Sequence, residues 1–278
     1  MSFIPPDFGG ESIVAIMYNP LIKEKRALEV HLSDHCNLNC MGCSHFSPLA
    51  PKRFLDNDDL IVSLRSIDRN VRDYFTQIRL VGGEPLLNPD IVRILKTIRL
   101  NFVSSDIMIV TNGILIPTMP ISFWDECEKS RVSICVTIYP KINYDEIFKV
   151  ARNRNTKVSI YADRSGESGF ERRPLSIHGK EDAHKNFDKC RFIQQWSCLQ
   201  LVGTKLYVCP TSAYISLFER KFNRDIGYDE YLDLSKIKSL EEIKVFVSRP
   251  KQICRYCNIN GIITVTWKIS HSRIDEWT

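Results

Sequence analysis

The sequence predicts an α/β fold: a short, open barrel of parallel strands with a smaller region appended after it. Three observations predict it. Strand-like stretches recur at Leu28–Ser33, Gln77–Gly82, Asp106–Thr111, Val132–Tyr139 and Val158–Asp163 with helical segments between them, and repeated strand-to-helix units place their strands in parallel. The stretch RVSICVTIY alternates, setting Ser133, Cys135, Thr137 and Tyr139 on one face and Val132, Ile134, Val136 and Ile138 on the other, as suits a strand between a ligand-holding lumen and covering helices. Roughly 150 residues separate the first strand from a change of composition near Gly179, too few for a closed eight-stranded barrel, which takes about 250.

Taken in order, residues 1–27 form an N-terminal extension, in which ESIVAIMY is expected to cover the barrel edge or bottom. Asp56 is placed to cap a helix whose apolar side runs through Leu60, Leu64 and Ile67, and Asn88 stands before Pro89 where a cap and a first-turn proline belong. The barrel is expected over residues 28–180. In residues 181–278, QLVGTKLYVCP reads as a tight hairpin and Leu240–Phe246 as a short helix before CRYCN. Few long apolar segments remain there, so metal ligation could supply stability that a small core does not.

A chain of 278 residues can bury one large core or a core with a small appendage. Ten cysteines do not by themselves make a secreted protein, because disulfide frameworks belong mainly to small domains and MSFIPPDFGGES lacks a basic region followed by an apolar stretch. A reducing cytoplasm is the expected compartment. No uninterrupted apolar run approaches about 18 residues, which argues against a membrane span. The net charge of +5 comes without a long Lys/Arg block or an aromatic-interleaved basic run, so nucleic acid is not the expected partner.

Cys36, Cys40 and Cys43 lie just beyond the first strand, where α/β folds place ligands. Zinc would take a fourth ligand, with His35 and His45 nearby. An iron–sulfur cluster held by three thiolates would instead leave one iron open to a small molecule. The spacing C-x3-C-x2-C resembles the signature of the radical S-adenosylmethionine (SAM) superfamily, and GGEP at residues 82–85, one strand later, resembles that superfamily's motif for the methionyl amino group. The resemblance implies a partial (β/α)6 TIM-like barrel holding a [4Fe-4S] cluster and S-adenosyl-L-methionine, whose reductive cleavage gives methionine and a 5'-deoxyadenosyl radical. Gly82 and Gly83 would then permit close backbone approach, and Glu84, followed by Pro85, would accept from the cofactor amine. Asn112 in TNG and Thr137 match segments near the cofactor in related enzymes. Arg164 could hold a carboxylate or substrate oxygen. His35 and His45 are close enough to tune the cluster.

Cys190, Cys209, Cys254 and Cys257 follow as C-x18-C-x44-C-x2-C. This layout, with Gly203 in a hairpin before Cys209, resembles the auxiliary-cluster domain called twitch and implies a second [4Fe-4S] cluster. Four cysteines alone also fit a zinc knuckle. Cys198 could replace Cys190 or stay free near the cluster. Cys135 reads as a lumen-facing core residue and Cys127 as helix packing.

Length and cysteine layout resemble the twitch-type dehydrogenase that oxidises an amino-cyclitol in aminoglycoside antibiotic biosynthesis. That implies oxidation of a hydroxyl on a small polar carbohydrate-like substrate, with the auxiliary cluster as electron acceptor and a donor such as flavodoxin or ferredoxin. Arg164, Tyr161 and Asp163, with Arg191 and Gln195 near the auxiliary site, could meet its polar atoms. A radical epimerase using Cys198 or Cys135 as hydrogen donor, a maturase of a precursor peptide, and a zinc-organised binding protein are the alternatives.

Overall fold

Alternation along the strands decides which side of the sheet meets the helices. The computed structural model describes residues 13–15, 26–140, 142–161, 169–227 and 229–278. Its elements run β1 (Ile13–Ala15), β2 (Ala27–Ser33), α1 (Asn57–Ser66), α2 (Arg69–Tyr74), β3 (Gln77–Gly82), α3 (Ile91–Asn101), β4 (Asp106–Thr111), α4 (Ile121–Lys129), β5 (Val132–Thr137), α5 (Tyr144–Arg152) and β6 (Val158–Tyr161). They continue with β7 (Gly169–Arg172), α6 (Ala183–Lys189), α7 (Arg191–Gln194), β8 (Leu199–Val202), β9 (Lys205–Tyr207), α8 (Pro210–Phe222), β10 (Leu232–Asp233), α9 (Leu240–Val247) and β11 (Ile263–Thr266).

One sheet has the order β1-β6-β5-β4-β3-β2-β8-β9-β10. Its strands are parallel from β1 to β8, and the β8–β9–β10 end is antiparallel. The order ends at β1 and β10 rather than closing on itself, so this is an open sheet of partial-barrel type. The ESIVAIMY segment supplies β1, which pairs with β6 through Ile13↔Val158 and covers that edge as expected.

Leu28, Val30 and Leu32, Ile78 and Leu80, Ile107 and Ile109, and Ile134 and Val136 are all at most 2% exposed in the main core against the helices. The opposite face carries Glu29, His31, Arg79, Met108, Ser133, Cys135 and Ser159, in register across the strands. A second core joins Phe46, Phe187, Tyr214, Phe218, Ile253 and Trp277. It holds α6, α8 and the tail after β11 against the loop that follows β2. β7 pairs with β11 in a separate two-stranded ribbon.

Asp56 caps α1 as predicted, accepting from the N–H groups of Asp58 and Asp59 at 2.7 and 3.1 Å. Two local expectations change. Asn88 is not the cap of α3, which starts after Asp90. Its amide instead donates to Leu32 O and Leu55 O at 2.7 and 3.0 Å and accepts from Asp90 N at 2.8 Å, tying the end of β2 to the loop before α1. β5 ends at Thr137 rather than Tyr139, because the Tyr139 N–H donates to the Tyr144 hydroxyl at 2.7 Å and leaves the ladder. The end of the expected fifth strand, Asp163, and Arg164 lie outside the described residues.

Candidate active site and a second cysteine cavity

The loop after β2 is held against the end of β3 by backbone. Gly83 N donates to Ser33 O at 2.7 Å and Glu84 N to His35 O at 3.1 Å. A Cβ on Gly83 would lie 2.2 Å from His35 O and 2.8 Å from Cys36 N, and one on Gly82 would lie 2.4 Å from Ser33 O. The close approach expected of these glycines is thus to the cysteine loop itself. Glu84 is held by the protein's own groups. It is 1% exposed and accepts from Thr111 Oγ1 at 2.7 Å, Leu86 N at 3.0 Å and Asn112 N at 2.9 Å. It ties the GGEP turn to the end of β4, and burial pushes its carboxyl up to about 7. Pro85 opens the turn beneath it. The Asn112 amide donates to Asn37 Oδ1 at 2.7 Å and lies 3.9 Å from Cys36 Sγ, so TNG reaches the same loop.

Burial pushes the Cys36 and Cys40 thiols up to about 12. Burial opposes ionisation of Cys43 too, but the hydrogen bond and charge of His45, with the backbone N–H groups of Ser47 and His45, hold it below the ordinary thiol value. His35 Nδ1 meets Ser33 Oγ at 3.1 Å. Thiols held neutral by burial become ligands when a metal displaces their protons. Among the described residues no three His, Cys, Asp or Glu side chains converge on one metal ion. A cluster that takes one thiolate per iron asks for wider spacing than a single ion, and three cysteines within one eight-residue loop suit it.

Three contacts here escaped sequence reasoning. Tyr139 lies beside Cys40, Trp267 Nε1 donates to Cys40 Sγ at 3.1 Å, and Trp277 Nε1 donates to Cys43 O at 2.9 Å. Thr137 lies on the lumen face opposite Tyr161 in register. Cys135, between Val110 and Ser159, sits one layer below them.

Cys190, Cys209, Cys254 and Cys257 line a single cavity with Arg173 and Phe192. Cys190 ends α6, Cys209 caps α8 by accepting from Ser212 N, and the short helical turn Gln252–Tyr256 presents the last two. Asn186 Nδ2 donates to Cys254 O and Cys257 O at 2.8 and 2.5 Å, fixing that turn. Burial pushes Cys209 and Cys254 up to about 12 and about 11, and Cys190 and Cys257 upward. Beside Cys190, Glu171 pairs with Arg173 and with Arg191 at 2.6 Å, and Arg173 lies over Phe192 and Trp196.

Cys198 does not line this cavity, although Cys190 acts on its thiol electrostatically and its N–H donates to Phe192 O at 2.9 Å. It precedes β8, whose Leu199 pairs with Leu28 near the start of β2, and it lies beside Glu29. Glu29 also pairs with Arg79 at 3.3 Å and accepts from Gln200 Nε2. Glu29 lies four residues before Ser33, about 13 Å along the strand, so this thiol is at the opposite end of the barrel from the first three cysteines.

Residues 30–161 match the model of the Radical SAM superfamily. Among curated proteins, the chain is 26% identical over 156 residues to a GTP 3',8-cyclase of Microcystis aeruginosa, covering 54% of this chain and 46% of that protein. It is 38% identical over 89 residues to the bovine (Bos taurus) Molybdenum cofactor biosynthesis protein 1, covering 31% and 14%. The chain thus spans less than half the length of these relatives. Among solved structures, BtrN in complex with AdoMet and 2-DOIA superposes with a TM-score of 0.47 at 14% identity, covering 84% of this chain and 92% of that one. Streptococcus suis SuiB bound to S-adenosylmethionine gives 0.39 at 12% identity, covering 78% and 62%. The family match sets aside the zinc-organised binding protein that the cysteines alone allowed. Residues 30–161 are a radical SAM domain.

Proposed function

We propose that this enzyme oxidises a hydroxyl-bearing carbon of a small polar substrate, a carbohydrate or amino-cyclitol, to a ketone. In this reading residues 28–180 are the radical SAM barrel, and residues 181–278 are a twitch-type domain whose second [4Fe-4S] cluster accepts an electron. The observation that carries it is the convergence of Cys190, Cys209, Cys254 and Cys257 on one cavity. When bound at Cys36, Cys40 and Cys43, a [4Fe-4S] cluster with S-adenosyl-L-methionine supplies a hydrogen-abstracting carbon radical.

The chain's own groups would do the rest. Gly82 and Gly83 let the cysteine loop seat on β3, and Glu84 and Asn112 lock the loops around it. Thr137 and Tyr161 would line the face toward the substrate. A substrate between this face and the second cavity would meet Glu171, Arg173 and Arg191, a carboxylate between two guanidiniums suited to hydroxyl and amine groups.

One observation favours epimerisation as a second reading. Cys135 faces the lumen one layer below Thr137, and burial raises its thiol, keeping it protonated for hydrogen donation. The test is anaerobic turnover of reconstituted enzyme with amino-cyclitols and sugars, following 5'-deoxyadenosine and substrate mass together. Loss of two hydrogens per deoxyadenosine supports oxidation. Unchanged mass with inverted stereochemistry and solvent-derived hydrogen rejects it.

A further inference from the structure

The tail from Trp267 to Trp277 lies along the loop that carries the first three thiols. Met41 N donates to Lys268 O at 2.9 Å and Ser270 N to Asn39 O at 2.7 Å, while Cys40 and Ile269 form an antiparallel bridge. Trp277, 1% exposed against Phe46 and Phe222, donates its indole N–H to Cys43 O at 2.9 Å. Gly42 fits so closely that a Cβ there would lie 2.8 Å from Glu276 O. These contacts leave the tail one register, and in that register Trp267 Nε1 stands 3.1 Å from Cys40 Sγ. An indole has one donor and no acceptor, so the sulfur is the receiving group.

We propose that Trp267 is a positioning residue for the first cluster: its indole N–H donates to the Cys40 thiolate and raises the reduction potential of the cluster held there. A donor to a ligand sulfur draws off negative charge and favours the more negative, reduced state, and such hydrogen bonds are among the terms that set cluster potentials. The inference rests on Cys36, Cys40 and Cys43 holding the cluster, and is independent of the substrate.

The experiment uses the full chain carrying Cys254→Ala and Cys257→Ala, so that one cluster gives the signal. After anaerobic reconstitution with iron and sulfide, reductive titration with titanium(III) citrate and mediator dyes is followed by EPR, without S-adenosylmethionine or substrate. Adding Trp267→Phe is expected to lower the reduced-to-oxidised ratio at a fixed potential about tenfold, which is about 59 mV for a one-electron couple. Trp277→Phe removes an N–H of the same tail that serves the Cys43 backbone carbonyl rather than a ligand sulfur, and is expected to leave the potential in place. An unchanged potential in Trp267→Phe, or equal shifts in both variants, overturns the proposal. Should Trp277→Phe not fold, Trp267→benzothienylalanine keeps the ring shape without the N–H, and a potential unchanged there also overturns it. Absence of iron from the parent double variant would overturn the cluster assignment itself, which iron analysis reads separately.

Discussion

Replacing Gly83 with alanine tests whether the GGEP turn serves the cysteine loop by steric fit. The added Cβ would meet His35 O at 2.2 Å, His35 C at 2.3 Å and Cys36 N at 2.8 Å, all backbone atoms. No side chain can swing aside to relieve this. The loop carrying Cys36 must move away from β3, and overpacking of this kind costs about 3 kcal/mol. Gly203 is the comparison: it has a φ of +60°, yet a Cβ there meets only Ser63 Oγ at 4.0 Å. Gly203→Ala therefore carries left-handed backbone strain alone, about 1 kcal/mol. In thermal unfolding of the metal-free chain, Gly83→Ala should lower the midpoint by about 5 °C and Gly203→Ala by about 2 °C. After reconstitution, Gly83→Ala should lose iron from the first site while Gly203→Ala keeps it. Equal destabilisation by the two, or full iron retention in Gly83→Ala, would refute the reasoning.

Three further outcomes follow from the geometry. Glu29→Ala leaves Arg79 and Gln200 without their shared carboxylate, and since Arg79 is partly exposed the loss should sit near the low end for a broken buried pair, about 3 kcal/mol by chemical denaturation. Cys198→Ala should keep its full iron content after reconstitution, whereas Cys190→Ala should lose about half, because Cys190 lines the four-cysteine cavity and Cys198 does not. Glu84 has its carboxyl raised from 4.5 to about 7 in the folded chain. The folded state then holds a proton that the unfolded state has released, so Glu84's contribution to stability falls as pH rises from about 4.5 to about 7. Stability curves of the wild type and Glu84→Gln should diverge in slope across that window.

Much of the fold could be read from the chain because its signals are local. The alternation in RVSICVTIY sorts Ile134 and Val136 into the core and Ser133 and Cys135 toward the lumen, as the structure has them. The strand ends at Gly82 and Thr111 and the Asp56 cap are equally local. The site was less legible. The cysteine spacing marks a loop, but nothing near it in sequence points to Trp267 and Trp277, which approach it across more than two hundred residues. The one available signal was the alternation of Ile263, Val265, Trp267 and Ile269, an extended run that a metal-organised reading of the C-terminal region passes over. The protein partners of Glu84 were hidden for a related reason: the Thr111 hydroxyl and the Asn112 N–H come from the end of the next strand.

The most direct test of the central claim, two cysteine sets with different tasks in one radical SAM enzyme, is a crossed pair of variants assayed for iron and for S-adenosylmethionine cleavage. The account predicts that the chain lacking Cys36, Cys40 and Cys43 keeps one [4Fe-4S] Mössbauer signature from Cys190, Cys209, Cys254 and Cys257 but makes no 5'-deoxyadenosine under dithionite. The chain lacking Cys254 and Cys257 should keep the other cluster and still cleave the cofactor. Deoxyadenosine from the first variant, or loss of both clusters in either one, would contradict the account.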